Sequence, residues 1–223
     1  MSKIVTNFFV TLYKTNLMPF TQDSIQIDQV HVHLMRYADF EPDTYLEQLT
    51  DEEKERFFSF SHPERRKQFA ATRILRHRIF GFEHIHYDTH GAPFINKEGF
   101  ISISHAKGIV GIALCKGFKV GLDLETVRPK AALLSDRFLS THEAATLDRR
   151  DAVEMTRVWS AKEVLYKLAG RKGVHFKTEL LLDKTGHNQW KGKIINPEGI
   201  LHTRICTLDH QDTILSVNIC GFE

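Results

Sequence analysis

Two short segments hold the residue types from which a charged reaction centre could be built. Gly121-Leu122-Asp123-Leu124-Glu125 sets two acids at alternate positions, and Trp159-Ser160-Ala161-Lys162-Glu163 is followed one helical turn later by Lys167. In a strand, side chains alternate between faces. Val120, Leu122 and Leu124 are therefore expected inside, with Asp123 and Glu125 together on the opposite face. Glu163 would bring a third carboxylate from a helix. Three carboxylates form an all-oxygen set of the kind Mg²⁺ prefers, and that ion commonly leaves its other positions to water and substrate phosphates. Lys162 and Lys167 would suit such phosphates. The chemistry indicated is phosphate chemistry.

Other candidates are weaker. Ser102 and Ser104 share one face of a strand that ends at His105, a turn histidine able to hydrogen-bond a phosphate. Adjacent serine and histidine side chains on a strand point apart, so they are no nucleophile-base pair. Arg66, Arg73 and His77 cluster on one side of a helix. Arg73 sits among apolar residues and needs a partner, for which a phosphate is one candidate. The pairs His31/His33 and His84/His86 have chelating spacing without a supporting acid, and are read as outward strand histidines. Phe57, Phe58 and Phe60 are read as core or helix-packing residues.

The elements that would position these groups follow from capping and periodicity. Thr50-Asp51-Glu52-Glu53 and Ser61-His62-Pro63-Glu64 read as capping boxes, the second opening a helix to about residue 80 that Gly81 ends. Leu139-Ser140-Thr141-His142-Glu143 repeats the first box ninety residues on, ahead of a helix over 154–169 closed by Gly170. Strands are expected near 30–34, 101–104, 109–115, 119–125, 179–183, 202–207 and 213–220. Residues 1–28 carry little pattern and are expected to wrap the surface. A helix pair followed by strands, twice over, predicts an α+β pseudo-dimer with halves 1–117 and 118–223 and a ligand at the seam.

The bulk composition of this 223-residue chain limits the alternatives. A hydrophobic content of 42% and a charged content of 26% are those of a globular protein, and a formal net charge of +2 gives no reason to expect nucleic acid as a partner. Cys115, Cys206 and Cys220 make no zinc or disulfide pattern and are read as small apolar strand residues in a reducing compartment. The N-terminus lacks a signal-peptide core, and no run approaches the ~20 apolar residues of a membrane span. The expected setting is the cytoplasm.

Taken together, these residues resemble the surfactin-synthetase-activating type of 4′-phosphopantetheinyl transferase. That family carries a Gly-hydrophobic-Asp-hydrophobic-Glu strand and a Trp-x-x-Lys-Glu-x-x-x-Lys helix, seen here at 121–125 and 159–167. Ile101-Ser102-Ile103-Ser104-His105-Ala106 is similar to its Asn-hydrophobic-Ser-His-Ser segment, with Ser102 for the asparagine and Ala106 for the second serine. Gly91-Ala92-Pro93-Phe94 is similar to its Gly-Lys-Pro-aromatic turn, with Ala92 for the lysine; a phosphate contact from that position is then lost, or supplied by Lys97, Arg73 or another cation.

The resemblance implies a helix-plus-antiparallel-sheet pseudo-dimer that binds coenzyme A between its halves. It further implies transfer of the phosphopantetheine arm to a serine of an apo acyl or peptidyl carrier protein, releasing adenosine 3′,5′-bisphosphate. Asp123, Glu125 and Glu163 would hold Mg²⁺, and Glu163 would take the serine proton. Lys162 and Lys167 would clamp phosphates, while Arg73, Ser104 and His105 would bind the coenzyme. The protein would act as a monomer, since the duplication already supplies the seam. Two rivals remain: another Mg²⁺-dependent phosphoryl-transfer or hydrolytic enzyme, and a non-catalytic domain that binds coenzyme A or a carrier.

Overall fold

Two antiparallel sheets meet face to face, each with a long helix on its outer side. The computed structural model describes residues 3–5, 8–17, 20–37, 40–81, 83–95 and 99–223, the first two stretches as backbone alone. The first sheet holds β1 (Lys3–Val5), β2 (Phe8–Leu17), β3 (Phe20–Ile27), β4 (Val30–Tyr37), β5 (His86–Tyr87), β6 (Pro93–Ile95), β7 (Gly99–Ala106) and β8 (Ile109–Cys115). Its order is β1-β2-β3-β4-β8-β7-β6-β5. The second holds β9 (Leu122–Thr126), β10 (Leu180–Gly186), β11 (Gln189–Asn196), β12 (Gly199–His210) and β13 (Thr213–Asn218), in the order β10-β11-β12-β13-β9.

The faces sort as strand alternation requires. Val32, Leu34, Ile109 and Ala113 meet Leu122, Leu124, Leu215 and Val217 in the core between the sheets. The intervening residues of the first sheet, Met35, Val110 and Ile112, pack with Leu75 of α2 (Pro63–Phe80) and with Phe57 of α1 (Asp51–Ser59). After the short helices α3 (Pro129–Leu133) and α4 (Thr141–Thr146), α5 (Ala152–Ala169) lies on the outer face of the second sheet, against Trp190, Ile194 and Ile205.

Local sequence starts and stops the helices. Thr50 and Glu53 close a reciprocal box at α1, and Ser140 and Glu143 close its counterpart at α4. Asp151 accepts the amides of Val153 and Glu154 at the start of α5, which ends at Gly170 with φ +64°. The cap of α2 is His62, not Ser61: its Nδ1 accepts the Glu64 amide at 3.2 Å.

The expectation for residues 1–28 is corrected. Strands β2 and β3 pair antiparallel from Val10↔Ile27 to Leu17↔Phe20, and β3 continues the sheet onto β4. Strand β11 also went unforeseen. Phe58 is 54% exposed, unlike the buried Phe57. Among the described residues no helix is long and apolar enough to cross a membrane.

The two long helices carry the same anchoring device. Arg73 is the eleventh residue of α2 and Lys162 the eleventh of α5. Each turns to the glutamate of the preceding capping box: Arg73 Nε lies 2.8 Å from Glu53, and Lys162 Nζ lies 2.7 Å from Glu143.

Candidate functional site

Strand β9 is the edge of its sheet, so its outer amides need acceptors. The hydroxyls of β7 supply them. Ser102 Oγ accepts from Leu122 N at 2.9 Å and Ser104 Oγ from Leu124 N at 3.1 Å. Ser104 also donates to Asp123 Oδ1 at 3.2 Å. One hydroxyl from the first sheet thus seats both the backbone and the acid of the second.

Asp123 and Glu125 share a face, opposite the buried Leu122 and Leu124, as the alternation predicts. Asp123 is only 5% exposed. Its Oδ1 also accepts from Lys167 Nζ at 3.1 Å, and the same ammonium reaches the Leu122 carbonyl. Its Oδ2 is buried without a hydrogen-bond partner. Leaving a carboxylate oxygen so placed is costly unless a cation or donor arrives. Gly121 permits the close approach of β9 and α5, because a Cβ there would stand 2.9 Å from the Val164 carbonyl oxygen.

Glu163 faces the same acids. Burial, then Asp123, raise its carboxyl to about 7; Glu125 adds to the rise and Lys167 opposes it. Burial and Asp123 likewise raise Glu125, against a hydrogen bond from the Trp159 indole. That bond, Nε1 to Oε1, is 2.9 Å long. The three carboxylates therefore repel one another through a shared low-dielectric space. Among the described residues no three ligating side chains stand close enough to form a finished metal cage. The donor chemistry nonetheless fits a hard cation: an orphaned carboxylate oxygen beside two acids with raised pKa values. Mg²⁺ needs only one or two protein carboxylates when substrate phosphates and water complete its shell.

Two hollows neighbour this site, one lined by Lys167 and the other by Glu125. A cleft of about 580 Å³ runs between the Asp88–Phe94 turn and the end of α5, with Lys119, Lys167, Arg171 and Lys172 on its wall. Ala92 lies on the opposite wall, so the cations facing it come from the second half of the chain; Lys97 lies outside the described residues. A second hollow of about 540 Å³ is lined by His62, Arg65, His105, Lys107 and Arg128, with Glu125 at its rim. Arg65 Nη1 lies 2.7 Å from His105 Nε2. Loss of solvent, then Arg65 and Lys167, hold the His105 imidazole below its ordinary value, which favours the neutral ring that accepts from Arg65.

Three residues expected to touch the ligand have partners within the chain. Lys162 is fully buried and bonds to Glu143, the Phe138 carbonyl at 2.6 Å and the Phe176 carbonyl at 2.8 Å, so its ammonium does not reach the cleft. Arg73 is 4% exposed, paired to Glu53 and close to the Tyr87 hydroxyl; its partner is a carboxylate of its own chain. Ser104 is buried and already engaged with Asp123 and Leu124. Lys167 and His105 do face the hollows. Arg65, Lys107, Lys119, Arg128 and Lys172 carry no local sequence signal that marks them out. Only the fold gathers them.

The remaining candidates have plain roles. His33 hydrogen-bonds Ser24 at 2.9 Å, while His31 is exposed. His86 packs on Phe94, and His84 neighbours Arg76. All three cysteines are free.

Fold and site together define an α+β protein whose acids and cations converge on one seam between its sheets. Residues 119–212 match the model of the 4′-phosphopantetheinyl transferase superfamily. It is similar to the 4′-phosphopantetheinyl transferase HetI of Nostoc sp. strain PCC 7120, at 28% identity over 62% of this chain and 68% of HetI. It is also 28% identical to the 4′-phosphopantetheinyl transferase AcpT of Escherichia coli K12, over 48% of this chain and 60% of that protein. The AcpT of Escherichia coli O157:H7 matches to the same extent. Against AcpT, then, the matched stretch spans about three fifths of the relative's length.

Proposed function

We propose that the chain moves the 4′-phosphopantetheine arm of coenzyme A onto a serine hydroxyl of an apo acyl or peptidyl carrier protein. It does so with Mg²⁺, as a cytoplasmic monomer, with residues 1–117 and 118–223 as the halves that form the cleft. The observation that carries the reading is the orphaned Asp123 Oδ2, in the field of Glu125 and Glu163, with Lys167 of one hollow bonded to Asp123 and Glu125 lining the other.

The residues divide the work. Lys119, Lys167 and Lys172 offer charge to the diphosphate, and the Arg65–His105 pair offers it to the phosphate on the ribose. Asp123, Glu125 and Glu163 would hold Mg²⁺, which neutralises charge growing on the departing bisphosphate. Glu163 would accept the serine proton, and a bound cation would favour the ionised carboxylate that this role requires. The serine oxygen bonds to the phosphorus that bears the pantetheine arm. The bond from that phosphorus to the bridging oxygen breaks, and the electron pair leaves with adenosine 3′,5′-bisphosphate. Lys167, already bonded to Asp123, keeps the acid and the diphosphate in one register.

The test is to incubate the protein with coenzyme A, Mg²⁺ and several apo carrier proteins, and to weigh the carriers by mass spectrometry. Addition of one phosphopantetheine per carrier is expected, and Asp123→Ala should abolish it while circular dichroism stays native. Hydrolysis of nucleotides without a protein acceptor would favour a phosphohydrolase. Coenzyme A binding with no turnover would favour a non-catalytic domain.

A further inference from the structure

We propose that Lys162 is a positioning residue that fixes Glu125 through a box of aromatic rings. The ammonium bonds two backbone carbonyls that are distant in sequence, those of Phe138 and Phe176. The side chains of the same two residues grip Trp159: Phe138 meets its ring edge-on at 5.3 Å and Phe176 stacks on it at 5.2 Å and 16°. Trp159 in turn donates to Glu125. Lys162 therefore closes a ring of contacts whose far side is a carboxylate of the candidate site, although its own charge never reaches the cleft.

Glu143 holds the hub in place. It is 1% exposed, yet each of its oxygens is used: Oε2 by Lys162 and the Ser140 amide, Oε1 by the Leu182 amide at 2.7 Å. Full satisfaction on this scale makes a buried pair a fixed point, because any shift breaks several bonds together. The next residue of α5 is Glu163, so the same anchor sets the helix rotation that presents the second acid. Phe176 also stacks on Tyr166, at 5.6 Å, which ties the box to the cleft wall.

The consequence for metal affinity rests on the proposed function; the geometry of the box does not, and the two are read separately. The chain has two tryptophans, so the ¹⁵N-labelled protein gives two indole N–H peaks. Trp159→Phe assigns them, and Glu125→Ala marks where the Trp159 peak moves when its acceptor is lost. Lys162→Met should carry that peak most of the way to the Glu125→Ala position while the Trp190 peak stays put. Because a single change strands the Glu143 charge, the double variant Glu143→Gln/Lys162→Met, which removes both charges, is run beside it with the same expectation. A Trp159 peak at its wild-type position in either variant would overturn the proposal. So would equal movement of both indole peaks, which would mark general loosening. In the transfer assay, the Mg²⁺ concentration for half-maximal rate should rise about 10- to 100-fold, the usual effect of losing a residue that orients a metal ligand. An indole shift without that rise would retain the positioning of Glu125 and remove its link to the metal.

Discussion

Replacing Glu163 by Gln removes a proton site and leaves the shape. In the folded chain burial, first, and then Asp123 raise the Glu163 carboxyl from 4.5 to about 7. The unfolded chain returns it to its ordinary value. Between those two pH values the native state holds a proton that the unfolded state has lost, so stability falls as pH rises through the window. Below 4.5 both states are protonated and the penalty is absent; above about 7 it is complete. At about 1.4 kcal/mol per pH unit, the full penalty is about 3 kcal/mol. Partial exposure of the side chain and solvent screening reduce this to about 2 kcal/mol. Glutamine carries no such penalty. Glu163→Gln should therefore melt about 4–8 °C above the wild type near pH 8, on the usual scaling for a chain of this size, with no gain in mild acid. Calorimetry of both proteins across the window, without added Mg²⁺, is the assay. Parallel melting curves at every pH would refute the account of a repelling, desolvated acid.

Two further outcomes follow from the geometry. Gly121→Ala drives a Cβ to within 2.9 Å of the Val164 carbonyl oxygen and 3.3 Å of Leu168 Cγ, so urea unfolding should show a loss of about 1–3 kcal/mol, and wild-type stability would show that β9 and α5 have slack. His105→Ala should raise the KM for coenzyme A by about tenfold with kcat nearly unchanged, and Arg65→Ala added to it should cost less than on its own, because the two side chains touch; an unchanged KM would remove them from the ligand path.

The sequence displayed the acids because a strand's period of two is visible in Leu122, Asp123, Leu124 and Glu125 without any partner. It also displayed the helix starts, since a capping box is a local contract among four residues. What it hid depends on long-range pairing. Lys162 reads as a phosphate-binding lysine from its type and its neighbours, and its partner Glu143 was already accounted for by the Ser140 cap. The same concealment applied to Arg73 and Glu53, though the apolar flanks of Arg73 correctly demanded a partner. Strand β3 escaped because Thr21, Gln22, Ser24 and Gln26 dilute its apolar residues; only docking on β4 makes Phe20, Ile25 and Ile27 a buried set. The paired role of Ser102 and Ser104 needed a second sheet edge to exist at all.

That edge has a mechanical meaning. Two hydroxyls one repeat apart on β7 engage two amides one repeat apart on β9. The junction resembles a toothed rack: sliding by a full repeat has to release both bonds. Shear along this line would therefore cost two bonds at once, and the register of the two strands is set by the pair rather than by either hydroxyl alone.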